Sequence, residues 1–164
     1  MTEVTKLELP AHLATRELRR NWIMGLEDAI QNDCPEEAQV DCGDNLVHSF
    51  ADGMYVREIF IPAGVMLTGK IHKHTHPNFL MEGKVSMITE DGGAILMEAP
   101  QSIISPAGCK RALYTVTPTW WITVHLNPNG HTKFTQKFED EIIAKTYKDL
   151  PLKPKKQFWR RRNV

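Results

Sequence analysis

The sequence lacks the features that assign a chain to several large protein classes. Its 164 residues include only three cysteines, Cys34, Cys42 and Cys109, a sparse and odd set that argues against a disulfide framework and favours a reducing cytoplasm. No apolar run approaches the roughly 20 residues that span a bilayer, and residues 1–4 lack the basic start of a signal peptide. We therefore expect a cytoplasmic protein without a membrane span.

The sequence also lacks an excess of either charge: 20 Lys and Arg residues balance 20 Asp and Glu residues, so the formal net charge is zero. The chain as a whole is therefore not a polyanion binder. The exception is the tail from Lys153 to Arg162, which has six basic residues in ten and includes Phe158 and Trp159. Cations beside stacking rings are compatible with nucleic-acid binding, but we favour a tail that is solvated or docks on an acidic neighbour.

Common catalytic motifs are missing as well. The chain contains no Gly-rich phosphate loop, nucleophile elbow or helical zinc-protease motif. Between Leu46 and Leu126, however, short apolar runs alternate with turn residues, which is typical of a small antiparallel sandwich or barrel. The predicted strands are Tyr55–Ile61, Val65–His72, Asn78–Met81, Lys84–Thr89, Ala94–Ala99, Ser102–Ser105, Arg111–Val116 and Trp120–Leu126.

Helical patterns flank this β-rich region on both sides. Residues 11–32 predict an amphipathic helix with Leu18, Trp22 and Leu26 at helical spacing. A second short helix is predicted over Phe138–Tyr147, with acidic residues early and lysines late. We therefore predict a mainly β protein, one folded domain overall. It would comprise an N-terminal helical segment and loop over 1–45, a barrel over 46–130, and a C-terminal helix and basic tail over 131–164.

Three histidines lie within the run from Gly69 to His76. Alternate residues of a strand point to one face, so Lys70, His72, His74 and His76 share a face if the run stays extended. Imidazole is the commonest protein metal ligand and the usual acid–base group near neutral pH. This run is therefore the first place to look for function.

The spacing of these residues resembles the two cupin motifs. Gly64 is followed by five residues, Lys70-Ile71-His72, three residues, His76, six residues and Gly83, which matches the first motif in its spacing. Pro106-Ala107-Gly108 followed by Arg111 and Thr115 resembles the second motif. The resemblance implies a single cupin-type double-stranded β-helix, a jelly-roll barrel, with the two flanking helices added.

The chain also resembles small, uncharacterised cupin-like proteins encoded by tailed bacteriophages. The stretches that carry this resemblance are 55–64, 68–76, 83–91 and 106–125. It implies a phage or bacterial origin and, if the protein is phage-encoded, a place in the host cytoplasm. It implies no established activity. The cupin resemblance further suggests a homodimer, for which the stripe Leu18, Trp22 and Leu26 and one of the rings of Trp120 and Trp121 supply candidate contact surface.

The residues at the cupin ligand positions differ from the usual metal-binding set. Where a metal cupin offers His, His, Glu and His, this chain has Lys70, His72, His76 and Arg111. Lysine and arginine are cations at neutral pH and would repel a divalent metal from its first shell. Lys70 and Arg111 therefore favour binding of an anionic ligand, since arginine binds a phosphate or carboxylate bidentately. The structural alternative for each is an ion pair, with Glu58, Glu82 or Glu98 as a possible partner.

His125 supplies a possible third metal ligand. A hairpin that pairs Val116 with Trp120 would place His125 opposite Arg111, on one face and with Cβ atoms about 5 Å apart. A site of His72, His76 and His125, with His74 as a further candidate, suits Zn, Fe, Mn or Ni. Three neutral imidazoles and a water are a usual catalytic geometry for zinc.

Three functions remain open at this point. The first is a metal-dependent enzyme or metal-assisted binder of a small molecule. The second is a metal-free module for a small anionic ligand, or an epimerase-like enzyme that needs no cofactor. The third is a structural or interaction protein, such as a virion component, in which the barrel is only a scaffold. A fold alone does not choose among them.

Overall fold

The structure is a computed structural model that describes residues 4–40 and 45–151. The predicted basic tail and Cys42 lie outside the described residues. Within them, Cys34 and Cys109 are free thiols, and no helix is both long and apolar enough to cross a membrane. The described chain is mainly β-strand with two α-helices, as the sequence predicts.

Two five-stranded antiparallel sheets form the body of the molecule. In chain order the elements are β1 (Thr5–Leu7), α1 (Arg16–Asn32), β2 (Leu46–Ala51), β3 (Gly53–Ile61), β4 (Met66–Thr68), β5 (Ile71–His72), β6 (His76–Glu82), β7 (Lys84–Thr89), β8 (Gly93–Glu98), β9 (Gln101–Ser105), β10 (Arg111–Thr115), β11 (Thr119–Asn127), α2 (Gln136–Ile142) and β12 (Ile143–Ala144). The first sheet has the order β1-β8-β7-β10-β4, the second has the order β2-β3-β11-β6-β9, and β12 pairs with β5 alone. This is a jelly-roll arrangement with an N-terminal helix and a short C-terminal helix.

The two sheets pack face to face because their strands alternate buried and exposed residues. In β11, the odd-numbered residues from Thr119 to Asn127 are buried, while Trp120 and Leu126 are exposed. The central core joins side chains from both sheets, namely Leu80, Val85, Met87, Met97, Leu113 and Trp121. Apolar burial of this kind contributes roughly 25 cal/mol per Å². The period-two pattern thus determines which side chains fill the barrel.

A glycine makes one of the crossings between the sheets possible. Gly83 joins β6 of the second sheet to β7 of the first and has φ 93°, a left-handed conformation that glycine adopts at little cost. A Cβ atom at this position would lie 2.2 Å from the carbonyl oxygen of Pro118. Any other residue would therefore displace the turn that carries the chain across.

The N-terminal helix buries only part of the apolar stripe that its pattern predicted. Helix α1 begins at Arg16, after the Thr15 side chain accepts a hydrogen bond from the Leu18 amide, as an N-cap should. Ile23 is the fully buried residue of this helix, and Leu26 packs partly against the same cluster. Leu18 and Trp22 are exposed. The predicted stripe is therefore split between the core and the surface.

The predicted hairpin between Arg111–Val116 and Trp120–Leu126 is wrong. Strand β10 pairs with β7 and β4, whereas β11 pairs with β3 and β6 in the other sheet. The connection crosses between sheets because the Val116 and Thr117 amides both donate to the Lys84 carbonyl. Arg111 therefore does not face His125 across a ladder.

The second helix is shorter than predicted. It spans Gln136–Ile142, capped by the Thr135 hydroxyl, and the chain then enters β12 instead of continuing to Tyr147. Ile143 pairs with His72 and Ala144 with Ile71, so a long-range ladder overrides the helical pattern. This pairing brings the C-terminal segment against the histidine run.

Candidate functional site

Three buried histidines from three strands meet inside one end of the barrel. His72 ends β5, His76 begins β6 and His125 lies in β11; their exposed fractions are 6%, 2% and 5%. The ring centroids lie 4.2 Å apart for His72 and His76, 4.8 Å for His72 and His125, and 4.7 Å for His76 and His125. One ring nitrogen of each histidine lies within 4.8 Å of one from each of the others. We call this cluster the histidine triad.

Each ring of the triad is held by neighbouring backbone or rings. His72 is fixed by the short ladder with Ile143 of β12, and His125 stacks on Tyr55, its cross-strand partner in β3. His76 Nδ1 donates to the His74 carbonyl oxygen at 3.0 Å. That bond fixes the tautomer of His76 and leaves Nε2 with a free lone pair, as in many histidine metal ligands.

The triad carries three buried nitrogens with no hydrogen-bond partner among the described residues. They are His72 Nδ1, His76 Nε2 and His125 Nε2. An unpaired buried polar atom costs about 1–3 kcal/mol, so such atoms need an explanation. Three of them converging in one place offer a set of lone pairs to a single electrophilic ion.

The environment keeps all three imidazoles neutral at pH 7. Burial lowers the pKa of His76 to about 4, with the hydrogen bond to the His74 backbone opposing this shift and Arg111 adding to it. Burial lowers the pKa of His125 to about 3, and His76, Arg57 and Arg111 add to that shift. Burial, followed by His76 and His125, also holds the pKa of His72 well below its usual value. Neutral imidazole is the form that binds a metal, so the ligand atoms are available without proton loss.

His74 does not join the triad, although the sequence made it a candidate ligand. Its side chain is exposed, and only its carbonyl oxygen contacts the site. The reason is that β5 ends at His72 and β6 begins at His76, so residues 73–75 form a turn between them. The alternation that would have turned His74 inward does not persist through that turn.

Lys70 lies at the outer rim of the site and is paired there. Its ammonium forms an ion pair with the Glu139 carboxylate of α2, and its side chain is 54% exposed. Glu139 is not one of the three partners that the sequence suggested. Glu58 instead accepts from Trp120 Nε1, and Glu98 pairs with Lys84. The Lys70–Glu139 pair was not foreseeable because it depends on how α2 docks.

Arg111 points into the barrel and is held there by neutral groups. Its two terminal nitrogens donate to Asn78 Oδ1 at 2.9 Å and to Ser105 Oγ at 3.1 Å, and its guanidinium lies 5.1 Å from the Trp121 ring centroid. Burial lowers the pKa of Arg111 to about 10, which still leaves it a cation at neutral pH. Among the described residues, no carboxylate lies at salt-bridge distance from it.

Asn78 organises this part of the interior. It is fully buried, and its Oδ1 also accepts from Trp121 Nε1 at 3.2 Å and Thr123 Oγ1 at 3.4 Å. Its amide nitrogen donates to Ser105 Oγ at 3.0 Å and to the His76 carbonyl oxygen at 3.3 Å. The side chain that orients Arg111 is therefore also bonded to the backbone of a triad histidine.

A cavity of about 150 Å³ adjoins the triad within the barrel. His72, Arg111 and Lys70 line it together with Arg57, which was not among the residues predicted for the site. Arg57 pairs with Thr123 in the β3–β11 ladder, two residues from the Tyr55–His125 pair, so it shares their inward face. The alternation within the predicted strand Tyr55–Ile61 would have identified it.

Comparisons with known proteins give only a distant structural similarity. No family model matches the chain, and no curated protein matches it. A cupin superfamily protein from Desulfitobacterium hafniense is 10% identical with a TM-score of 0.43, covering 55% of this chain and 84% of that chain. KdgF from a Halomonas species is 9% identical with a TM-score of 0.44, covering 57% and 91%.

A third solved structure is a protein described as having the double-stranded β-helix fold. It is an RmlC-like cupin family protein from Methanocaldococcus jannaschii, 11% identical with a TM-score of 0.42, covering 56% of this chain and 90% of that chain. At these TM-scores the similarity is too weak to support a conclusion. The assignment of a jelly-roll fold therefore rests on the strand order of this chain.

Proposed function

We propose that the chain is a cupin-type protein that binds one divalent transition metal ion through His72, His76 and His125, and a small anionic ligand beside it. The observation that supports this proposal most directly is the convergence of three buried ring nitrogens without hydrogen-bond partners among the described residues. A metal ion would coordinate all three nitrogens and so remove the free-energy cost of leaving them buried and unpaired. A set of three imidazoles suits Zn, Fe, Mn or Ni.

The charges around the triad support the anionic ligand. Arg57 and Arg111 line the adjoining cavity without a carboxylate partner at salt-bridge distance among the described residues. A divalent ion held by neutral imidazoles would add two further positive charges. An anion in the cavity would offset these charges, and arginine provides the forked donors that match a carboxylate or phosphate.

Metal content tests this proposal directly. The full chain would be produced with Zn, Fe, Mn and Ni available and then subjected to elemental analysis, beside His76→Ala and His12→Ala. His12 is an exposed histidine outside the triad, so it serves as the matched control. We expect about one metal ion per chain in the wild type and in His12→Ala, and a strong loss in His76→Ala. Background metal in the wild type would refute the proposal.

We also propose that two copies pair through the outer face of the second sheet. On that face Phe60 lies beside Trp120 and Met54 beside Leu126, and all four side chains are exposed. Of the eight outward residues of β3 and β11, only Glu58 is charged. An exposed apolar sheet surface is typical of an interaction site, and the same patch on two copies satisfies a twofold interface.

A further inference from the structure

The cavity beside the triad has two chemically different walls. Arg57, Arg111 and His72 line it together with apolar side chains, those of Ile59, Ile61, Leu67, Leu113 and Trp121. Arg57 precedes Ile59 and Ile61 on one face of β3, and Arg111 precedes Leu113 in β10, so the charged groups lie toward one end of these strands and the apolar groups toward the other. Its volume of about 150 Å³ is well below the roughly 300–1,000 Å³ of pockets for drug-sized ligands. The ligand must therefore be small and must carry both a negative charge and apolar surface.

The two arginines are the unbalanced charges of this cavity. The third cation on its wall, Lys70, is already paired with Glu139. Arg111 uses its terminal nitrogens on Asn78 and Ser105, which are neutral, so its charge is oriented but not offset. Within the described residues Arg57 is in no ion pair either. Two unpaired guanidinium groups in a partly buried space favour an anion.

We propose that this cavity binds a short-chain monocarboxylate, with Arg57 and Arg111 holding the carboxylate and the apolar wall holding the tail. The inference rests on the proposed function of the same site and adds Arg57 as a specificity-determining residue. An inorganic phosphate ion fits less well, because it would leave the apolar wall without a partner. A ligand with two carboxylates fits less well too, since its second charge would face that wall.

His72 places this ligand next to the histidine triad. It belongs both to the cavity wall and to the cluster of unpartnered nitrogens. A carboxylate held by the arginines would therefore lie beside the metal position, where its charge offsets those of the guanidinium groups. The arginines bind the anion through their own donors, so binding does not require the metal, although the metal strengthens it.

Calorimetric titration of the zinc-loaded full chain tests the inference, with formate, acetate, propionate, butyrate and hexanoate as probes and inorganic phosphate as the comparison. Affinity should rise about fourfold for each added CH₂, about 0.8 kcal/mol, until the cavity is full. Phosphate should bind more weakly than butyrate. A flat series, phosphate binding as tightly as butyrate, or no heat with any carboxylate at millimolar concentration would overturn it.

Two matched variants locate the carboxylate. Arg57→Gln should weaken butyrate binding by about tenfold or more, because it removes a charge-assisted hydrogen bond to the carboxylate. Lys84→Gln removes a cation that pairs with Glu98 and does not line the cavity, so it should leave butyrate affinity nearly unchanged. Both variants should keep their zinc. Equal butyrate affinities in the two variants would show that Arg57 does not bind the carboxylate. If Arg57→Gln does not fold, the chain-length series on the wild type still decides.

The two proposals fail in different ways. Zinc uptake without carboxylate binding overturns the inference and leaves the metal site intact. Carboxylate binding to a chain that takes up no metal overturns the metal site and leaves the arginine pocket.

Discussion

The molecule contains two buried polar clusters, and they differ in whether their atoms are satisfied. Glu90, directly after β7, is fully buried, and its Oε2 accepts from two Arg20 nitrogens at 2.6 and 2.7 Å. Its Oε1 accepts from the Lys110 amide at 2.7 Å and from the Tyr147 hydroxyl at 2.8 Å. The histidine triad is as deeply buried, yet three of its nitrogens bond nothing among the described residues.

This difference separates a structural cluster from a binding site. The Glu90 carboxylate ties α1, the segment before β10 and the C-terminal turn to the first sheet, and no lone pair remains for a ligand. The triad is held in place by its neighbours but keeps its lone pairs free. Buried polar groups are normally paired, so an unpaired set that is also pre-positioned indicates a missing partner.

The variant His125→Leu should have the largest effect on the triad. It should abolish metal binding while leaving the stability of the metal-free protein nearly unchanged. We expect metal content to fall from about one ion per chain to background. In metal-free protein the free energy of unfolding should change by less than about 1 kcal/mol, because replacing an orphan polar atom with an apolar one is nearly neutral. Elemental analysis and denaturant titration check the two halves, and a large loss of stability in the metal-free variant would make the triad a structural cluster.

Glu90→Ala should show the reverse pattern. It removes the acceptor for Arg20, Tyr147 and the Lys110 amide, so we expect a loss of about 3 kcal/mol in the free energy of unfolding. Metal content per folded chain should not change. The control is Glu98→Ala, which removes an exposed pair with Lys84 and should cost less than about 1 kcal/mol. Similar losses in both variants would mean that the Glu90 cluster is not a structural anchor.

Stability of the metal-free protein should fall as the pH drops from about 6.5 to about 4. The pKa values of His76 and His125 are lowered to about 4 and 3 in the folded chain, so the unfolded chain binds more protons throughout this window. Each such proton contributes about 1.4 kcal/mol per pH unit. The dependence should be shallower in His125→Leu, measured by urea unfolding at several pH values. Identical slopes would show that His125 does not titrate in this way.

The smallest expected effect on the chain itself comes from Leu126→Glu on the outer sheet face. Leu126 is 65% exposed, so its replacement should change folding stability by no more than about 0.5 kcal/mol. It should nevertheless shift the protein from dimer to monomer, because it places a charge in the apolar patch. Light scattering at tens of micromolar, with Val116→Glu at an exposed position in the connection after β10 as control, checks this. A wild type that is already monomeric would refute the dimer.

The sequence predicted local structure well where period-two alternation was strong. All eight predicted strands correspond to observed ones, apart from a break at residues 69–70 within Val65–His72. Strands β1 and β12 were missed because they have only three and two residues. Strand β2 was missed although it has six residues of alternating burial. His72 and His76 were identified from parity and motif spacing, and both lie in the triad.

Long-range contacts set the limit of that prediction. His125 was selected through a hairpin that does not form, and it reaches the triad because the alternation of β11 turns it inward. Arg57 was missed although its strand was predicted, since a lone arginine in a strand gave no reason to ask which way it faced. The Lys70–Glu139 pair depends on the docking of α2, which local pattern does not encode.

The most direct test of the central claim is an anomalous difference map from crystals of the zinc-loaded protein, recorded at the zinc absorption edge. We predict one strong peak per chain, about 2.0–2.1 Å from His72 Nδ1, His76 Nε2 and His125 Nε2. The absence of a peak among these three nitrogens, or a peak held by other residues, would contradict it.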